Sequence, residues 1–165
     1  MTTTYKELQK ITYKNKGGVN IPLKSFENNL TDLYKVDLNP LFQRDYVWTK
    51  TDSIAYIEWF LRTNDAIGVC PATTITLNRD VETDTHKLVD GKQRVNALLC
   101  FCRGELKVFN QYFKDFKFSS WKPDLYFSIV ELQGNDLIDY YIAINSMGVK
   151  HTEEEIEKAK KLIIS

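Results

Sequence analysis

At 165 residues the chain falls in the size range of one domain. A hydrophobic content of 43% with 22 basic against 22 acidic residues excludes general disorder. The same balance removes the large positive excess on which indiscriminate nucleic-acid binding rests. No stretch has the apolar run of a signal peptide or a membrane span, so a cytoplasmic protein without a membrane partner is expected. Cys70, Cys100 and Cys102 lack a disulfide-framework spacing, and with only His86 and His151 beside them a zinc site is not expected.

Residues 3–12 form a short helix candidate, and the Lys/Asn/Gly-rich stretch 14–20 reads as a loop. Ser25 can cap a second helix with Phe26, Leu30 and Leu33 on one face, and 36–40 reads as an extended piece closed by Pro40. The mixed segment 41–48 has no amphipathic period and reads as a site-bearing loop. A third helix runs from Thr51 or Asp52 to Arg62, with Ile54, Ile57 and Leu61 inward. Strands over 72–77 and 85–89 make a hairpin through the polar turn 78–84. A patterned helix over 92–103 then ends at Gly104, where a terminating glycine belongs. Short strands are expected near 107–110, 116–118 and 125–132, and a helix from Asn135 or Asp136 to Ile144. A capping box of Thr152 with Glu155 opens the last helix, whose first turn is acidic and last turn basic. The class is α+β, a small mixed sheet flanked by helices.

The informative junction is His86-Lys87-Leu88-Val89-Asp90-Gly91-Lys92-Gln93-Arg94. A strand that turns through Asp-Gly straight into a helix leaves backbone N–H groups pointing out of the helix start, where an anion is favoured. Gly91 allows close approach of a ligand, Arg94 offers a planar fork for phosphate oxygens, Lys92 adds charge, and Gln93 donates or accepts. Asp90 would repel bare phosphate. It fits as an orienter of Arg94, a ribose contact, an outer ligand of a phosphate-bound Mg²⁺, or a simple helix cap. A second cluster, Phe42-Gln43-Arg44-Asp45-Tyr46-Val47-Trp48, repeats the Gln-Arg pair. The two pairs can converge on one polyanion, with Tyr46 or Trp48 stacking on it; core packing is the competing reading for both aromatics.

The words FQRDYVW (42–48), LVDGKQRVNALLCF (88–101) and INSMGVKHTEEE (144–155) resemble the N-terminal domain family of GmrSD-type restriction systems, marked by IPxYQRxYxW, DGQQRLTTL and IN..G..L...E in this order. The resemblance runs from about Ile21 onward and implies one domain over 1–165, with a core similar to the ParB/sulfiredoxin superfamily. It also implies a module that binds, and in restriction systems hydrolyses, nucleotides to control cleavage of modified foreign DNA. An NTP, with Mg²⁺, is the implied cofactor. Carried over by position, the motif falls on Gln43, Arg44, Asp90, Gly91, Gln93 and Arg94, with Asn145 and Gly148 as a supporting loop and Asp90 the one candidate catalytic group. Lys92 departs from the family's glutamine, and Asn39-Pro40-Leu41 from its Ile-Pro entry. The His-centred nuclease motif of larger members is not found around His86 or His151, so a standalone copy without autonomous DNA cleavage is expected.

Three functions compete at this stage. The first is a nucleotide-binding switch or NTPase using Gln43, Arg44 and 90–94. The second is a non-enzymatic module that binds DNA or RNA through the same arginines, of the kind a phage or mobile element carries. The third is an interaction partner of a separately encoded nuclease, which rests on analogy alone.

Overall fold

The computed structural model describes residues 14–69, 71–120, 122–146 and 152–161; the helix expected over 3–12 lies outside them. Strands β1 (Lys14–Pro22), β2 (Val36–Asp37), β3 (Ile75–Asp80), β4 (Thr85–Asp90) and β5 (Asp124–Glu131) form a mixed sheet in the order β1-β5-β3-β4-β2. The β1–β5 and β3–β4 pairs are antiparallel, while β3–β5 and β4–β2 are parallel. Helices α1 (Lys50–Ile67), α2 (Lys92–Cys102), α3 (Gly134–Ser146) and α4 (Glu153–Lys161) complete the α+β architecture. Among the described residues, no helix is long and apolar enough to cross a membrane.

Side chains on a strand point alternately to the two faces of its sheet, and β4 uses both. Leu88 joins a core with Phe26, Phe60, Leu98, Phe101 and Phe127, built from α1, α2 and the helical turns 23–33. Its neighbour Val89 joins a second core with Phe42, Val130, Leu137, Ile138 and Tyr141, built on α3. The sheet is thus covered on both faces, and β4 delivers Asp90 and Gly91 from the seam between the two cores.

Local rules set several boundaries. Thr49 and Asp52 form a capping box, so α1 starts at Lys50, before the expected Thr51 or Asp52, and it runs five residues past the expected end at Arg62. Gly104, at φ 75°, follows α2; its N–H donates to Phe101 O and the N–H of Glu105 to Cys100 O, a Schellman closure. Thr152 and Glu155 cap α4 reciprocally, as the sequence suggests.

Other expectations are corrected. The stretch 14–20 is not a loop but most of β1. A side chain at Gly18 would stand 2.1 Å from the Tyr126 ring, so glycine here serves a close strand approach rather than a turn. The turns 23–33 pass from 3₁₀ through one α turn to a π turn, and Ser25 caps nothing with its side chain. The 3.6-residue period then fails: Phe26 and Leu30 are buried, but Leu33 is 65% exposed. The first hairpin strand begins at Ile75, after a 3₁₀ turn at Pro71–Thr73. Of the strands expected between 107 and 132, β5 alone forms among the described residues. Phe113, Phe116 and Phe118 pack instead as an aromatic cluster around Phe101.

Candidate functional site

At the end of β4 the chain must reverse into α2 within one residue, and Gly91 does so at φ 102°, a region costly for any residue with a Cβ. A Cβ there would also press on Ile75 at 3.2 Å and on the Arg94 guanidinium at 3.4 Å. No side chain caps α2, so its first-turn amides are left to whatever occupies the space beyond them. Arg94 folds back over the glycine: Nη2 bonds Asp90 Oδ2 at 2.5 Å and Nη1 donates to Ala72 O at 2.9 Å. Of the contacts open to Asp90, the structure shows the pairing with Arg94.

The 42–48 loop is fastened to this junction residue by residue. Phe42 packs on Tyr141 in the second core, with ring centroids 5.0 Å apart. Gln43, buried, donates from Nε2 to the carbonyls of Leu88 (2.9 Å) and Val89 (2.8 Å). The Arg44 backbone amide donates to the Tyr141 hydroxyl. From the other side, Gln93 Oε1 accepts the amides of Val47 (3.0 Å) and Trp48 (3.1 Å), and its Nε2 donates to Asp45 O at 3.1 Å. Each glutamine of the two Gln-Arg pairs therefore binds the other segment's backbone. The arginines and Lys92 are what remain for a ligand.

Between the segments lies a cleft of about 370 Å³. Gln43, Arg44, Trp48, Asp90, Gly91, Lys92, Gln93, Arg94 and Asn145 all line it, so the structure brings together most of the residues singled out from sequence. Tyr46 is not among the lining residues; its hydroxyl is 2.6 Å from Ser53 Oγ, which ties the loop to α1. Gly148 lies outside the described residues. Asn145 bonds back to Tyr141 O within α3 at 2.8 Å.

Sequence reasoning missed Tyr56 and Trp59. They continue the aromatic wall from Trp48, with centroid spacings of 5.2 Å (Trp48–Tyr56) and 6.0 Å (Tyr56–Trp59). Their i, i+3 spacing on α1, off the inward stripe of Ile57 and Leu61, is the signal that could have found them.

The electrostatics favour an anionic guest. Lys92 is only 8% exposed, and burial lowers its pKa from the ordinary lysine value, with Asp45 and Asp37 pulling back toward it. Neither Lys92 nor Arg44 makes an ion pair with a described residue, in contrast to Arg94. Burial pushes the Tyr141 phenol up, an effect partly offset by the Arg44 amide. His86 sits elsewhere, buried in the sheet with Nδ1 2.7 Å from Tyr34 O, and burial lowers its pKa. Among the described residues, no group of three or more His, Cys, Asp or Glu could hold a metal ion. The Cys102 thiol, packed near Leu23 O, is pushed up by burial to about 12 and is inert at neutral pH.

This wiring joins two of the three segments that carry the sequence resemblance. The profile of the GmrSD restriction endonuclease, N-terminal domain, matches residues 23–162. The chain belongs to this family. The GmrSD match spans β4, α2 and the 42–48 loop, so the whole cleft lies inside it. No curated protein and no solved structure matches the chain.

Proposed function

We propose that this GmrSD N-terminal domain binds a nucleotide in the cleft between 42–48 and 90–94, with phosphates at Arg44, Lys92, Arg94 and the α2 start and the base against the Trp48–Tyr56–Trp59 wall. The observation that carries this reading is the meeting of two cations without carboxylate partners among the described residues, an uncapped helix start and an aromatic wall in one hollow. Arg94, held by Asp90 and Ala72 O, is set in place before the ligand arrives, so little ordering is required on binding. The donors do not make a resident Mg²⁺ site: Asp90 is the one carboxylate among the lining residues and is engaged by Arg94. A Mg²⁺ travelling with the phosphates would belong to the ligand. For the same reason the geometry supports binding ahead of hydrolysis, and Asp90 acts by positioning Arg94.

The test is thermal stabilisation by each NTP, with and without Mg²⁺. A ligand at a hundred times its Kd adds about 2.7 kcal/mol, which raises the Tm of a chain this size by roughly 5–10 °C. Arg44→Ala should abolish the shift while leaving the unliganded Tm nearly unchanged, because its side chain makes no ion pair with a described residue. No shift with any NTP at millimolar concentration would reject the reading.

A further inference from the structure

A second hollow lies elsewhere, beside the C-terminal half of α1. It measures about 470 Å³ and is walled by Arg62, Asn64 and Asp65 of α1 and by Phe109, Phe116, Phe118 and other described residues that follow α2. Its composition is not that of an ordinary packing gap. Phe116 and Phe118 stack nearly parallel, 8° apart in plane with centroids 4.9 Å apart. Phe109 is 38% exposed at the tip of a tight turn, where it and Asn110 take positive φ (49° and 60°) between the reciprocal Val108–Gln111 backbone hydrogen bonds. The Arg62 guanidinium lies 4.9 Å above that ring. Lys117 and Lys122 stand on the opposite rim, against the single carboxylate of Asp65. Neither lysine, nor Arg62, makes an ion pair with a described residue.

Fixed aromatic faces bordered by exposed cations suit one ligand chemistry: bases stacking while phosphates run along the rim. All three cations are on the exposed rim. A closed mononucleotide pocket would bury at least one of them, whereas a strand needs only charges spaced along an open track. The floor is rigid, because buried Asn64 clamps the start of β5, donating to Asp124 O (2.6 Å) and accepting its amide (3.3 Å). We infer that this groove is a binding site for single-stranded nucleic acid, separate from the nucleotide cleft and independent of the reading given to that cleft.

The experiment is fluorescence anisotropy of labelled oligo-dT and oligo-U on the full chain across a salt series. Neutralising three phosphates predicts a log–log salt slope of about −2. The double substitution Lys117→Glu, Lys122→Glu, at exposed positions where folding is not at stake, should weaken binding at least tenfold and flatten the slope. Phe109→Ala should also cost about tenfold or more, through lost stacking. Both variants should keep whatever thermal response the wild-type chain shows to NTP. Three results would each overturn the inference: no binding of either oligonucleotide, binding indifferent to both variants, or capture of poly-glutamate with affinity equal to that of the oligonucleotides.

Discussion

Two adjacent residues show how single positions shape the cleft. Gly91 meets two demands at once, a positive φ and room for the Arg94 guanidinium. Gly91→Ala should therefore cost about 1–2 kcal/mol of stability and displace Arg94, so denaturant midpoints should fall and the NTP-induced Tm shift should shrink together. Lys92 is the opposite kind of residue, stable only by compromise. Because burial lowers its folded pKa, the unfolded chain holds the extra proton between the folded value and the ordinary 10.5, and stability must rise with pH across that window. Below the window the folded state carries the full penalty of a buried charge. Lys92→Gln should be more stable than wild type at neutral pH, with the gain fading as pH approaches 10.5; parallel urea titrations along a pH series would show the two curves converging.

For the elements, the main lesson is that α2 and the 42–48 loop hold each other. Gln93 bonds three backbone groups of the loop, at Asp45, Val47 and Trp48, and those groups would be left unsatisfied if its amide were removed. Gln93→Ala should cost about 1–3 kcal/mol, lowering Tm by roughly 2–4 °C per kcal/mol. Ligand response should be lost as well, because Arg44 and Trp48 would no longer be fixed opposite Arg94. Calorimetry with and without NTP separates the two effects. The strand-to-helix junction was legible in the sequence because its parts lie within five residues of one another. The partners of Gln43 and Gln93 were not, since they lie about 45 residues away and nothing local distinguishes a ligand-facing amide from one spent on a distant backbone. The strand β1 was hidden for a related reason: Gly18 looks like a loop residue until Tyr126 is placed against it.

Across the whole molecule, the sheet couples the cleft to both cores. Phe42 is the clearest link, a loop residue of the site's first segment whose ring completes the α3 core. Phe42→Ala should cost about 3 kcal/mol, or roughly 6–12 °C of Tm, and should weaken NTP stabilisation although the ring itself does not line the cleft; circular dichroism melts with and without ligand test both. Helix α1 is the second link, since Tyr56 and Trp59 wall the cleft while Arg62 and Asp65 wall the groove one turn further on. A formal net charge of zero concealed this arrangement, because a sum over 44 charged side chains carries no positions.

By itself the sequence determined the α+β class, the glycine stop of α2, the reciprocal cap of α4 and the chemistry concentrated at 90–94, all consequences of short-range geometry and periodicity. Only the tertiary structure decided that the glutamines bind backbone, that Asp90 holds Arg94, and that Trp59 completes a wall. It alone also set Phe109 under Arg62 and brought Phe116 and Phe118 into the same hollow. Those outcomes depend on which groups distant in the chain come within bonding distance, and that distance is set by the packing of both sheet faces together.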